Sequence, residues 1–465
     1  MKNNIFKIVG IILTTALCIT NCGISKTYQA PTMEMSELYR DAETTDTTTI
    51  ANLPYTTLFK DQKLQKLIAE GIANSYDLKV AVARIKQAEA NFDQSKLQFL
   101  PNVSALAQVT QQGLSATQSR GFTANKQIFQ LGGNASWEAD IWGKLQSAKR
   151  GELALLLQSQ AYQRTVQSLL IAHIANNYYN LLAMDKELEI TLKTISYLKE
   201  DISTNKLLKT ANRITEASVA QSEANLYATQ VTIPDLKYSI RQTENALSIL
   251  IARSPGPIDR GTIEEQEFDT VLQTGIPAQL LANRPDVQQA EYQLRYNFEH
   301  INNARTYFYP SLTITAQGGW QNTTLKTLFD PASLFYNLIG GLAQPIFNQG
   351  LNKQILAIAK AQYEENTANF YSTLLGAGQE VSNALFSYQM AEEKKNSRDE
   401  QLLALSKAVD YNRELLNYGY AQTSYLDVLT SQQSYLAAQL NQVSDQLQKL
   451  TAVVNLYQSL GGGWK

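Results

Sequence analysis

Phe99-Leu100-Pro101-Asn102-Val103 returns as Phe308-Tyr309-Pro310-Ser311-Leu312, offset by 209 residues. The same offset links Asp77 to Asp286, Ala81 to Ala290, Tyr179 to Tyr388, Val219 to Val428 and Leu247 to Leu456. One or two such matches arise by chance, but an ordered set marks an internal duplication. In each copy the aromatic-Pro stretch stands where helical sequence gives way to alternation. Val103, Ala105, Ala107 and Val109 alternate with polar residues, as do Ala135, Trp137, Ala139 and Ile141, with a loop rich in Gly, Ser, Thr and Gln over 111–126 between them. A period of two is the mark of a strand. The second copy offers Leu312, Ile314 and Ala316, then residues 335–347, separated by Gly318, Gly319, Asp330 and Pro331. Each copy therefore reads helix, strand pair, long helix, turn, helix.

Working outward, the helices are long. No Pro occurs over 144–211 or over 351–418, and the only glycines there are Gly151, Gly376 and Gly378. A continuous helix over either span would be about 100 Å long. Leu436, Leu440, Val443, Leu447, Leu450, Val454 and Tyr457 alternate steps of four and three, as do Leu402, Leu405, Val409 and Leu416 in part. That is the apolar seam of a coiled coil. The positions between are rich in Gln, Asn, Ser and Thr, which suits a water-lining face and equally an ordinary solvated one.

Alternating strands with aromatic ends (Trp137, Trp142, Trp320, Phe347) fit a membrane barrel with an apolar lipid face. They also fit a soluble sheet packed on one side. Four strands do not close a transmembrane barrel, whose smallest forms use about eight. If the hairpins enter a membrane, chains must associate, and ring symmetry closes such an interface.

Composition narrows the classes. Lys and Arg number 40 against 42 Asp and Glu, a net charge of −2, which argues against a nucleic-acid binder. A chain of 465 residues with 2 His and 2 Cys holds little catalytic vocabulary. No phosphate loop, metal spacing or nucleophile elbow occurs, and His173 and His300 lack a motif, so neither an enzyme nor a cofactor is expected. Mean hydropathy of −0.26 excludes a polytopic helical membrane protein.

The first residues read as an export signal. Lys2 and Lys7 precede an apolar run over 8–20 that is too short to span a bilayer. Ile19-Thr20-Asn21-Cys22 resembles a lipoprotein cleavage box, with Asn21 where Gly or Ala is usual. Cys22 is the expected acylation site and outer lipid the expected partner of its acyl chains. The organisation expected is a signal peptide over 1–21, a lipidated extended segment over 22–59, and a first repeat over 60–252 with a hairpin at about 101–142. A connector follows over 253–283, then a second repeat over 284–465 with a hairpin at about 310–349 and a short tail.

Trp137-Glu138-Ala139-Asp140-Ile141-Trp142-Gly143-Lys144, then Arg284-Pro285-Asp286-Val287 with Ala290-Glu291, and finally Asn455-Leu456-Tyr457-Gln458-Ser459-Leu460-Gly461-Gly462-Gly463-Trp464, stand in this order. Together they resemble the lipoprotein branch of the TolC-like outer-membrane efflux proteins, the exit ducts of tripartite RND pumps. The resemblance implies a mainly α chain with a β-barrel part, two hairpins per chain completing a trimeric twelve-stranded outer-membrane barrel joined to a periplasmic α-helical barrel. It implies a homotrimer that works with a periplasmic adaptor and an inner-membrane RND pump, passing small molecules through a gated pore. A lipid-anchored coiled-coil scaffold without a pore is the rival reading, but it leaves the alternating hairpins and the duplication without purpose.

Locally, Pro285 and Asp286 suit a helix start, Trp142-Gly143 a strand-to-helix corner, and the Gly run a helix stop. Carrying the family pattern over, Asp427 falls where a carboxylate ring narrows the pore, and its field would favour cations. Tyr418 matches a tyrosine that ties the closed tips together. Thr430, Thr423 and Ser218 take aperture positions where family members often carry charge. The tips Asn212, Arg213, Ile214 and Thr215, and Gly419, Tyr420 and Ala421, are the expected adaptor-docking surface. Asn212 replaces a tip Gly, and Asn tolerates the left-handed turn.

Overall fold

In the computed structural model, the described residues are 24–31, 38–40, 47–113, 125–268, 272–418 and 425–465. Cys22, Gly419, Tyr420, Ala421 and Thr423 lie outside them. The principal elements are α1 (Gln62–Asn74), α2 (Tyr76–Leu97), β1 (Asn102–Gly113), β2 (Asn125–Ala139), α3 (Lys144–Thr210), α4 (Glu216–Leu250), α5 (Pro285–Thr306), β3 (Ser311–Asn322), β4 (Leu334–Ala343), α6 (Leu351–Tyr418) and α7 (Tyr425–Ser459). The expected duplicated, mainly helical chain with two hairpins is borne out. Two compact units form: Met1–Thr32, Ile85–Ser159 and Ala290–Phe370 make the first, and Met33–Arg84, Gln160–Gln289 and Tyr371–Lys465 the second.

Unit one carries one antiparallel sheet in the order β1-β2-β3-β4. Its strands end earlier than the alternation alone indicates. β2 stops at Ala139, short of Ile141, because Asp140 turns to cap the next helix: its two carboxylate oxygens accept from Leu145 N and Gln146 N, both at 2.9 Å. Gly143 takes φ 75° at this corner, a conformation that side chains rarely adopt, and the Trp142 indole donates to the Pro310 carbonyl at 2.7 Å. β4 stops at Ala343, short of Phe347, because Pro345 has no N–H to give a ladder.

Unit two is helical and holds the larger apolar core. Tyr178, Tyr179, Ile171, Ile174, Leu181 and Leu182 of α3 are buried, as are Val453, Val454, Leu456 and Tyr457 of α7. Burying each such side chain stabilises the fold by about 1.5–3 kcal/mol. The seam follows its spacing: Val443, Leu450, Val454 and Tyr457 are buried, and Leu436, Leu440 and Leu447 half-buried. After Ser459 the chain turns at Gly461 (φ 87°), where a Cβ would lie 2.3 Å from the Asn283 carbonyl. The tail then takes up polar groups of its neighbours. Ser168 Oγ donates to the Gly462 carbonyl (2.5 Å), Gln167 to that of Gly463 (3.0 Å), and the Trp464 indole to that of Asn283 (3.0 Å).

Candidate functional site

The register of the sheet sorts its residues onto two unlike faces. On one, Val103, Ala105 and Ala107 stand beside Ala135, Gly133 and Leu131. These stand beside Ala316, Gly318 and Trp320, which meet Leu338, Tyr336 and Leu334 on β4. Trp137 with Ile314, and Ala139 with Leu312 and Leu342, extend the same apolar surface. The other face carries Ser104, Gln108, Gln130, Asn134, Ser136, Glu138, Thr313, Thr315, Gln317 and Gln321, with Leu106, Ile128, Phe335 and Ile339 as apolar exceptions. Among the described strand residues none is buried within the chain; Tyr336 is 88% and Leu342 69% exposed. A soluble sheet packed on one side would bury one of its faces. An apolar face left bare opposite a polar one matches lipid on one side and water on the other. Strands of 10 to 15 residues are long enough to span a hydrocarbon core. β1 and β4 are the sheet edges, and no described strand of the chain covers them. No helix of the described residues is long and apolar enough to cross a membrane.

The first helix tip is an ordered turn in unit two. Arg213 N donates to the Leu208 carbonyl and Asn212 N to that of Lys209, both at 2.9 Å, while Asn212 takes φ 54°. Thr215 then caps α4, its Oγ1 accepting from Ser218 N at 3.2 Å and lying 3.1 Å from Ser218 Oγ. Asn212, Arg213 and Thr215 are exposed, and Ile214 and Ser218 half-buried. Lys209 pairs with Glu216 and Lys206 with Glu223 (2.8 Å), closing α3 onto α4. At the second tip Tyr418 is the last residue of α6 and 72% exposed. Asp427 and Thr430, three apart in the first turns of α7, share its exposed face, while Tyr425, Val428 and Leu429 are buried. The Asp427 backbone carbonyl accepts from Asn412 Nδ2 at 3.3 Å. Burial pushes the Tyr425 hydroxyl above the usual tyrosine range.

What periodicity does not reveal is how the two helical hairpins are tied together. Asp201 of α3 faces Arg413 of α6, with Nη2 at 3.2 Å, and Gln432 of α7, whose Nε2 donates at 2.5 Å. Gln433 donates to Asn225 of α4 at 2.8 Å. Between the hairpins lies a cavity of about 490 Å³, lined among others by Lys186, Lys193, Glu264, Arg413, Gln439 and Gln446. Its bond with Glu264 (2.7 Å) holds the Lys186 ammonium above the usual lysine range. The pairing is therefore polar and loosely filled, unlike the core. Arg284 is a second tie that periodicity does not reveal. It is 4% exposed and grips Asp286 with two bonds (2.9 and 2.5 Å), Glu380 of α6 (2.6 Å) and the Ser459 carbonyl (3.0 Å). Asp286 also accepts from Val287 N at 3.0 Å, so it serves both as cap and counter-ion. Among the described residues no group of three or more His, Cys, Asp or Glu side chains is arranged to hold a metal ion.

A family model described as outer membrane efflux protein matches residues 67–253 and again 276–462, once for each repeat. The cation efflux system protein CusC of Escherichia coli (strain K12) is 27% identical over 96% of this chain and 98% of its own. The antibiotic efflux pump outer membrane protein ArpC of Pseudomonas putida is 28% identical, covering 97% and 95%. Among solved structures, the open state of the Neisseria gonorrhoeae MtrE outer membrane channel matches with a TM-score of 0.84 at 25% identity, over 96% of this chain and 99% of that one.

Proposed function

This chain belongs to the outer membrane efflux protein family, and on that premise we propose that three copies join their sheets around a water-filled duct gated by movement of the helical hairpins. The protein is the outer-membrane channel of a tripartite efflux system, working with a periplasmic adaptor and an inner-membrane pump. One observation carries the pore reading: a sheet with an uncovered apolar face, a polar opposite face and two open edges. A scaffold in water would have to leave that apolar face solvated, which is unfavourable at about 25 cal/mol per Å².

Gating is assigned to the tips. About a threefold axis, the Asp427 carboxylates of three copies would ring the opening, with Thr430 beside them, and their field would draw cations. Tyr418, Ser218 and Thr423 complete the proposed aperture. The docking surface for the adaptor is Asn212 to Thr215 together with Gly419, Tyr420 and Ala421. Opening slides the α6–α7 hairpin against α3–α4 when the adaptor binds the open arrangement better. Asp201 opposes that slide, since its bonds to Arg413 and Gln432 bridge the two hairpins.

The solute is set by the pump and adaptor. Relatives named for cations and for antibiotics are almost equally identical to this chain, so identity does not choose between them. The direct test is the purified trimer in planar bilayers. Steady conductance supports the duct, and electrically silent trimers overturn it. Asp427→Ala is expected to lower the cation-to-anion permeability ratio; an unchanged ratio removes Asp427 from the constriction.

A further inference from the structure

Ser25, Lys26 and Tyr28 dock in unit one on side chains that the channel reading leaves unused. Asn302 of α5 is fully buried and turns its amide to the backbone of Lys26: its Oδ1 accepts from Lys26 N (3.1 Å) and its Nδ2 donates to the Lys26 carbonyl (2.9 Å). Both bonds ignore the Lys26 side chain, which is exposed. Asn302 Nδ2 also donates to Glu299 (3.1 Å), which is 3% exposed and forms a two-pronged pair with Arg150 of α3, both bonds 2.7 Å. The Arg150 Nη2 in turn donates to Ser25 Oγ at 2.7 Å. Ser25 Oγ lies 3.5 Å from Ser147 Oγ, and a Cβ on Gly143 would meet the Ser25 Cβ at 3.7 Å. Tyr28 closes the row, edge-on to Phe298 with ring centres 5.5 Å apart.

A buried carboxylate such as Glu299, paired with the partly exposed Arg150, is stable only when the donors and acceptors around it are used. Here Arg150 and Asn302 spend part of that capacity on the tail segment, so its docking completes the network. The two-sided amide grip works as a single rung of β-ladder and holds backbone of any sequence.

We propose that Arg150, Glu299 and Asn302 form a clasp that docks the chain's own acylated N-terminal segment beside the strand-to-helix corner at Gly143. Two residues, Gly23 and Ile24, lie between Cys22 and Ser25, so the reach is about 10 Å at most. The clasp therefore keeps the acyl chains close to the helix-proximal end of the sheet, rather than anywhere a free tether could wander. The proposal rests on the reading of Cys22 as the acylated residue.

The test is the double variant Ser25→Cys with Ser147→Cys in the full chain, grown with alkyne-palmitate. The sequence's other cysteines are Cys18, within the export signal, and Cys22. In the oxidising periplasm the new pair is expected to form a disulfide. After denaturation and complete tryptic digestion, the labelled 22–26 peptide then stays joined to the 145–149 peptide until a reductant is added. Adding Asn302→Ala, which removes both bonds to Lys26, or Tyr28→Ala, which removes the ring contact with Phe298 and alters only the tail, is expected to lower the cross-linked fraction by about ten-fold. Conducting trimers without the disulfide, or a yield unmoved by both added variants, overturn the clasp. A full disulfide yield on unlabelled protein overturns the anchor reading at Cys22 and leaves the docking in place.

Discussion

The buried hub around Arg284 and the exposed helix tips are built on the same two helices, α6 and α7, and use their polar groups in opposite ways. At the hub, Arg284 meets two carboxylates and a carbonyl while almost wholly out of water, and the tail carbonyls of Gly462 and Gly463 are each taken by a side chain. Toward the tips, Tyr418, Asp427 and Thr430 lie in solvent, and the tie between hairpins runs through Asp201, Arg413 and a few amides beside a partly empty cavity. On these contacts the hub is expected to open only with the whole unit, and the tips to rearrange at smaller cost. A gate needs that gradient, because one end must move while the other stays fixed.

Three substitutions break or sharpen this contrast. The largest effect is expected from Arg284→Ala, which removes the bonds to Asp286 and Glu380, leaves the buried Ser459 carbonyl without this donor and costs about 3 kcal/mol. The trimer should be recovered in low yield and melt well below wild type; a near-normal melting temperature would mean that the hub is not what fixes these helices. Next, Asp201→Ala removes a partly buried tie worth about 1–2 kcal/mol, shifting the closed-to-open ratio roughly ten-fold. Conductance in the absence of adaptor should rise while the melting temperature hardly moves. A melting loss as large as that of Arg284→Ala, with conductance unchanged, would place Asp201 in the hub's class instead. The smallest effect concerns Glu187 of α3, whose carboxyl burial pushes above the usual range. The folded chain then binds this proton more tightly than the unfolded one, so stability falls as pH rises above about 4.5. Glu187→Gln should melt slightly higher than wild type at pH 7 and equal to it at pH 4, as read by paired thermal scans.

Much of the fold was legible because it is written in local periodicity. The repeat, the period-two strands, the seam through Val443 and Leu450, and the corner at Trp142-Gly143 all depend on neighbours within a turn or a hairpin. Strand ends were less legible, since Ala139 and Ala343 end their strands through a cap and a proline rather than through a change of alternation. The choice between soluble sheet and membrane wall needed the register, which shows both faces uncovered. The polar ties were not legible at all. Arg284 finds Glu380, Asp201 finds Arg413 and Arg150 finds Glu299 across long stretches of chain, and no spacing rule reaches that far. Of the tip residues, neither the exposed face shared by Asp427 and Thr430 nor the Thr215–Ser218 cap at the first tip was legible in the sequence.

The open edges of β1 and β4 also carry a genetic consequence. Each subunit offers one edge to its left neighbour and the other to its right, so a defect on either edge harms partners as well as the chain that bears it. In a cell making equal amounts of intact and edge-defective subunits, random mixing leaves only about one ring in eight free of the defect. Such alleles would behave as dominant, and a small dose of damaged protein would silence most of the export capacity.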